Sequence, residues 1–311
     1  MILILRALGL GDLLTVVPAL RGIRRQHDSE EIVLAAPASL APLVARLDAV
    51  DRLLVVPSAV SEPPVPFRAP APTIAVNLHG RGPQSTEALR SLGPCRLWAY
   101  GEPGAPPWRP DEHEVVRWCR LVSAYGDPAD PGDLYLDGDR PRNGPAVVHP
   151  GAADPARRWP PERFAAVARG LVDRGLRVWV TGGPAERALA LDVVVRAGRN
   201  HISRAPAMDL AALADVVAAS PLVVCGDTGV AHLATACRTP SVVLFGPQPP
   251  SRWGPPPDPR HRALWAGPAS GDACPAASGD ALLRLRPADV LAAADAVLGH
   301  GPTKVRLSAL P

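Results

Sequence analysis

Four loops in this chain carry the residue types that phosphate and hydroxyl chemistry requires. In one, the apolar run Pro221–Cys225 stops at Gly226-Asp227-Thr228-Gly229, and a small-residue stretch from Val230 to about Cys237 follows. Such a strand–turn–helix junction lets a ligand approach the backbone at the glycines. The N–H groups and dipole of the new helix suit an anion, most often a phosphate. His232 falls on the first turn of that helix, where it either packs or supports the anion site. The extension of this loop, Phe245-Gly246-Pro247-Gln248 to Arg252-Trp253-Gly254-Pro255, begins at the end of another apolar run.

A second junction, Gly9-Leu10-Gly11-Asp12, follows the apolar run Ile2–Leu5. Asp12 at a helix start is either an N-cap or a general base that accepts a hydroxyl proton. Leu14 stands where a dinucleotide fingerprint needs its third glycine, which argues against a dehydrogenase. The third loop runs from His149-Pro150-Gly151-Ala152 to Arg157-Arg158-Trp159-Pro160. Either arginine could hold a diphosphate through its guanidinium fork, a solvated basic loop being the alternative, and Trp159 reads as a packing residue. The fourth, Thr181-Gly182-Gly183-Pro184-Ala185-Glu186, puts Glu186 at a helix N-terminus, as a dipole partner or as an acceptor for ribose hydroxyls.

The elements that must carry these loops alternate. Strands are expected over Ile2–Leu5, 32–35, 52–56, 73–78, Ala146–His149, 177–181, 222–225 and Ser241–Phe245. Helices are expected over 13–23, kinked at Pro18, then 40–46, 112–125, 162–174, 186–197, 209–219, 230–237 and 287–298. Apolar strands separated by helices give a parallel sheet with helices on both faces, and ligands gather at the carboxyl ends of its strands. The polar stretch 135–144, rich in Gly, Pro and Asp, marks a boundary near residue 142. The reading is therefore α/β: two Rossmann-like parallel-sheet domains, residues 1–142 and 143–311, facing each other across a cleft.

Composition narrows the function. With 311 residues and 47% hydrophobic content the chain is long enough for two cores. A net charge of +3 with interspersed charges and 4% aromatics lacks the footprint of a nucleic-acid binder. Lys304 is the only lysine, and arginine suits phosphate recognition, although a biased codon composition produces the same excess. The 39 prolines cluster in loops such as Pro57–Pro72. Five cysteines without a Cys-x-x-Cys pair argue for a reducing cytoplasm and against a disulfide framework or a zinc site; Cys225 and Cys237 read as small buried residues. No apolar run reaches the length of a membrane span, and the N-terminus reads as a buried strand rather than a signal peptide. Exposed Arg and Trp side chains leave peripheral contact with the inner membrane face open.

In order and spacing, Gly9-Leu-Gly-Asp12 with Pro18-Ala-Leu20, Asn77-Leu-His79-Gly80, His149-Pro-Gly-Ala152, Arg157-Arg-Trp-Pro160, Gly182-Gly-Pro-Ala-Glu186, Asp227-Thr-Gly-Val-Ala-His232 and Phe245-Gly-Pro247 with Trp253-Gly-Pro255 resemble glycosyltransferase family 9, the heptosyltransferases of lipopolysaccharide core synthesis. The resemblance spans residues 1–300 and implies a GT-B fold, with the acceptor on the N-terminal domain and the nucleotide sugar on the C-terminal one. It implies inverting transfer to a glycan or small-molecule hydroxyl from a nucleoside-diphosphate sugar, ADP-heptose leading, with no metal or other cofactor. Asp12 would be the base, Arg157 the phosphate ligand, and Glu186 the nucleoside contact. Asp227 would meet the donor sugar, Thr228 and Gly229 the diphosphate, and His232 would support that site. Gly9, Gly11, His79 and Gly246 are candidates on the acceptor side or in loops. Gln248 departs from the Thr or Ser usual in the family. A nucleotide-sugar epimerase and a non-catalytic nucleotide-sugar-binding protein are the competing readings, and the intact Asp12 and phosphate turn favour transfer over both.

Overall fold

A computed structural model describes residues 1–58, 71–136, 140–268 and 280–299. The chain divides into two compact units, Met1–Leu136 and Asp137–Pro311. The second begins this early because Arg140 and Arg142 bond within it. Arg140 pairs with Asp215, and Arg142 reaches the carbonyls of Ala218, Cys237 and Arg238. Most of the proline-rich connection, residues 59–70, and also Cys274, lie outside the described residues.

The first unit runs β1 (Ile2–Leu5), α1 (Leu10–Thr15), α2 (Val17–Gln26), β2 (Ile32–Ala36), α3 (Ala41–Val44), β3 (Arg52–Val55), β4 (Ile74–Asn77), α4 (Gln84–Arg90), β5 (Arg96–Trp98) and α5 (Glu114–Ala124). Its five strands are parallel, in the order β3-β2-β1-β4-β5. β1, β2 and β4 are buried along their whole length, as strands covered on both faces must be, whereas Arg52 and Val55 of edge strand β3 are exposed. The helix expected over 13–23 is two helices rather than one kinked rod. The Val16 N–H closes α1 on Leu13 and Leu14, and Pro18 then opens α2 at its second position, where a missing N–H costs nothing. The helix expected over 40–46 shortens to a 3-10 turn and the single turn of α3.

The second unit runs β6 (Ala146–His149), α6 (Pro161–Val172), β7 (Val178–Val180), α7 (Arg187–Ala197), β8 (Ile202–Arg204), α8 (Leu210–Ala219), β9 (Val223–Gly226), α9 (Gly229–Ala236), β10 (Ser241–Phe245), α10 (Pro250–Trp253), β11 (His261–Trp265), α11 (Asp280–Arg284) and α12 (Pro287–Gly299). Six parallel strands are ordered β11-β10-β9-β6-β7-β8. Their core is Val148, Val180, Val224 and Leu244 under Phe164, Leu171 and Val290. Trp159 is buried edge-to-face on Phe164, in the packing role its sequence context suggests. Gly170 lets α6 and α12 approach, since a Cβ there would lie 2.5 Å from Leu291. Cys225 and Cys237 are buried thiols, as their sequence context suggests, and the Cys237 Sγ lies 3.8 Å from the Ala214 carbonyl. Among the described residues no helix is long and apolar enough to cross a membrane.

His261, at the head of β11, is buried with its Nδ1 2.9 Å from the Ser241 hydroxyl. Burial pushes it down to about 4, against an ordinary value of 6.5. As pH falls through that window the unfolded chain takes up a proton that the folded chain refuses, so stability is present above pH 6.5 and lost towards pH 4. The loss amounts to about 3 kcal/mol at most. Urea melts at pH 7.5 and 4.5 are expected to show a smaller pH dependence for His261→Gln than for the natural chain; equal slopes would sink the assignment.

Candidate active site

Each sheet has a point where its strand order reverses. In open α/β sheets the loops at the carboxyl ends part there and leave room for a ligand. In the first unit that point lies between β1 and β4, which run in register from Ile2 opposite Ile74 to Leu5 opposite Asn77. The loop after β1 brings Arg6, Gly9 and Asp12; the loop after β4 brings His79.

Arg6 follows four apolar residues and is buried, 1% exposed. Its Nε donates to the Asp12 carbonyl at 2.9 Å and its Nη1 to the Leu78 carbonyl. Nη2 lies 3.2 Å from Asp12 Oδ1, Thr15 Oγ1 and Glu114 Oε1 alike. The guanidinium also sits 5.0 Å from the ring centre of Trp118. Asp12 is therefore not the N-cap of α1. Gly9 holds that position, and Asp12, three residues on, accepts the Gly9 N–H on Oδ2 at 3.2 Å. The Asp12 side chain remains 29% exposed, so its outer lone pairs face solvent. His79 accepts the Ala7 N–H on Nδ1 at 3.2 Å, which leaves its ring proton on Nε2. Burial, then the Arg6 cation, push His79 below the usual histidine range. It is a neutral hydrogen-bond donor beside Asp12 rather than a cation. Asn77 fixes this loop by accepting the His79 N–H and donating to Ser85 and Thr86.

In the second unit the reversal lies between β6 and β9, where His149 stands opposite Cys225. Arg157 comes over from the loop after β6. Its Nη1 is 3.2 Å from the Asp227 carbonyl and 3.6 Å from Asp227 Oδ2. Arg158 instead holds the Ala152 carbonyl at 2.8 Å, so of the two arginines Arg157 is the one at the turn after β9. Asp227 is 5% exposed. Burial raises its carboxyl, and Arg157 opposes the shift. Thr228 is the N-cap of α9 and makes no side-chain cap hydrogen bond; its carbonyl accepts the Ala231 N–H at 3.0 Å, so the N–H groups of Gly229 and Val230 are the ones an anion at this helix end would use. His232, one turn in, stacks edge-on against Trp253 with ring centres 5.9 Å apart.

None of the motif glycines Gly9, Gly11, Gly226 and Gly229 has the positive φ that a forced turn would need. Gly226 matters for close approach instead: a Cβ there would stand 3.1 Å from the Arg157 carbonyl. Gly246 lies against the same loop, with its Cβ position 3.4 Å from the Ala156 carbonyl. In the loop after β7, Glu186 ends a 3-10 turn and accepts the Gly183 N–H at 2.9 Å. Its carboxylate is 3.8 Å from His149 Nε2, while His149 Nδ1 meets the Thr181 hydroxyl at 3.1 Å. Burial pushes His149 below its usual range despite the neighbouring carboxylate. Among the described residues no group of three or more His, Cys, Asp or Glu side chains is placed to hold a metal ion.

The model of glycosyltransferase family 9 (heptosyltransferase) matches residues 91–274, more than half of the chain. The chain belongs to glycosyltransferase family 9. Lipopolysaccharide heptosyltransferase 2 of Escherichia coli strain K12 is 28% identical over 148 residues, 45% of this chain and 41% of that protein. The chain thus spans about two-fifths of the length of this curated relative. The family 9 glycosyltransferase of Veillonella parvula has a TM-score of 0.76 at 18% identity, covering 96% of this chain and 97% of that one. E. coli heptosyltransferase WaaC with ADP has a TM-score of 0.71 at 20% identity, covering 93% and 97%. The fold is therefore the GT-B fold of these family 9 proteins, with two parallel-sheet α/β units.

The predicted residues fall in two groups, one in each unit. In the first, Asp12 bonds to Gly9, and His79 to Ala7 on the same loop. In the second, Arg157 meets Asp227, which Thr228 and Gly229 follow directly, and Gly246 lies against the Arg157 loop, whereas Glu186 contacts His149 and Gly183, and His232 contacts Trp253. Arg6 and Glu114 were invisible to motif reading. A charged residue directly after the fully apolar Ile2–Leu5 was the available signal for Arg6. Glu114 meets it only through a contact 108 positions apart.

Proposed function

We propose that this family 9 member transfers a sugar, with inversion and without a metal, from a nucleoside-diphosphate donor to an acceptor hydroxyl. Its donor is ADP-heptose and its acceptor a glycan or small molecule held by the first unit; it acts in the cytoplasm, at the inner membrane face where the acceptor is a lipid-linked glycan. The observation that carries this reading is the meeting of Arg157 with the Asp227-Thr228-Gly229 turn at the N-terminus of α9, at the β6/β9 reversal. A diphosphate leaving group develops negative charge as its bond to the anomeric carbon breaks. A guanidinium and a helix N-terminus stabilise that charge without a metal. Asp12 takes the proton of the attacking hydroxyl, His79 donates a hydrogen bond from Nε2 to the acceptor, and Asp227 meets the donor sugar. The relative solved with ADP supports adenine as the base, and the lipopolysaccharide heptosyltransferases support heptose as the sugar.

Calorimetric titration with ADP, UDP and GDP, each in excess chelator, tests the reading. Selective ADP binding that survives chelation is expected. Preference for UDP or GDP would change the donor, loss on chelation would overturn the metal-free chemistry, and no binding would overturn donor recognition.

Gly151 gives this site a mild probe. A Cβ there would lie 2.1 Å from Glu186 Oε1, so the carboxylate, at the end of a flexible side chain, must swing away. Gly151→Ala is expected to melt within a few degrees of the natural chain but to bind ADP about tenfold more weakly, the worth of one hydrogen bond to a charged group. Unchanged affinity would remove Glu186 from the nucleoside site.

A further inference from the structure

Arg6 is the most heavily committed buried charge described in the first unit. Its guanidinium bonds to α1 at Asp12 and Thr15, to the β4 loop at Leu78, and to α5 at Glu114. Glu114 is in turn held by Trp118 Nε1 at 2.7 Å and Arg117 Nε at 3.1 Å. Arg117 itself lies 3.9 Å over the Trp108 ring and caps the carbonyls of Arg109 and Glu112. A buried arginine needs its charge balanced and its donors used. Here three acceptors share the two protons of Nη2, and one of them is Asp12.

Among the described residues the Asp12 carboxylate accepts two hydrogen bonds, from the Gly9 N–H on Oδ2 and from Arg6 on Oδ1, both at 3.2 Å. The Arg6 contact is backed by a second, 2.9 Å bond from the same guanidinium to the Asp12 carbonyl. Main chain and side chain are therefore gripped by one planar fork, which restricts the carboxylate to one orientation while leaving outer lone pairs open. Glu114 supplies the opposing anchor on α5 that keeps the fork in place.

We propose that Arg6, anchored by Glu114, is the positioning residue that orients Asp12 for proton abstraction. This rests on the reading of Asp12 as the base. A guanidinium orienting a base acts on turnover rather than on donor binding, because the donor residues belong to the other unit. Lysine keeps the charge but not the fork.

The test combines crystal structures with kinetics, using ADP-heptose and lipopolysaccharide lacking heptose. In Arg6→Met the Asp12 carboxylate is expected to take more than one orientation. kcat is expected to fall about 100-fold with the donor KM within threefold, in the range for loss of a properly held base. Arg6→Lys is expected to recover at least a tenth of the natural kcat. If Arg6→Met does not fold, Glu114→Gln carries the test, with the same disorder of Asp12 and a loss of about tenfold. In an Asp12→Asn background neither change is expected to lower kcat further, as for residues acting as one unit. A single, unmoved Asp12 carboxylate in both Arg6→Lys and Glu114→Gln, or losses that add to that of Asp12→Asn, would overturn the proposal while leaving the base intact. Full turnover in Asp12→Asn would instead overturn the base. Where no transfer occurs with these substrates, the crystallographic result alone decides.

Discussion

Asp12→Asn is expected to lower kcat about 1000-fold, within the range of general-base catalysis, while ADP affinity stays within twofold. Asparagine keeps the size of the side chain and its acceptor for the Gly9 N–H, so α1 should form as before. What it loses is the carboxylate that takes the hydroxyl proton. The effect is large because the other candidate nearby does not replace it. His79 accepts the Ala7 N–H on Nδ1, and burial beside the Arg6 cation keeps it a neutral donor on Nε2. Steady-state kinetics and calorimetry on one preparation check both halves. Turnover above a tenth of the natural chain would remove Asp12 from the chemistry, and a parallel loss of ADP binding would point to misfolding.

Arg157→Ala is expected to lower kcat/KM by 100-fold or more, of the order seen when a preorganised charge-stabilising donor is removed. ADP affinity should fall with it, because a guanidinium pairs with phosphate oxygens in the ground state as well as the transition state. Arg157→Lys should recover part of this, retaining charge without the fork. The substitution has a second consequence. Asp227 is buried and its carboxyl already sits above the ordinary value, with Arg157 as the opposing influence. Without that cation, burial acts unopposed and the carboxyl rises further. A group whose pKa is raised by folding binds protons more readily when folded, so the stability deficit of Arg157→Ala should shrink as pH falls. Asp227→Asn in the same chain should remove that pH dependence. Thermal melts between pH 5 and 8 check this, and a deficit that grows on acidification would refute it.

Much of the architecture could be read along the chain because the central strands that build it are short runs of mostly apolar residues. Ile2–Leu5, Ala146–His149 and Ser241–Phe245 have those bounds in the structure. Strands covered on both faces need no alternation, so an apolar run between turn residues suffices. Of the four edge strands, β3 was expected over 52–56, and the other three were not legible. Arg96–Trp98, Ile202–Arg204 and His261–Trp265 mix polar and apolar residues, and two of them span only three positions, too few to display a period. Helix α4 was missed as well; Gln84-Ser-Thr-Glu-Ala-Leu-Arg90 carries a single large apolar side chain.

The candidate site divides in the same way. Asp12, His79, Arg157, Glu186 and Asp227 were named from sequence because each lies in a loop that follows a strand and carries small residues, the part of an open α/β sheet where ligands gather. Which partner each would meet was not local. Arg158 was as good a phosphate ligand as Arg157 in the sequence, until folding tied one to Ala152 and brought the other to Asp227. Gly226 looked like a turn glycine but serves the approach of the Arg157 backbone. Arg6 and Glu114 became one charge pair only when the loop after β1 met α5. By itself, then, the sequence determined the alternation of strands and helices and the chemistry available at the strand ends, since both follow from residues a few positions apart. The tertiary structure alone decided which charges face one another, because sheet order brings together residues separated by seventy positions or more.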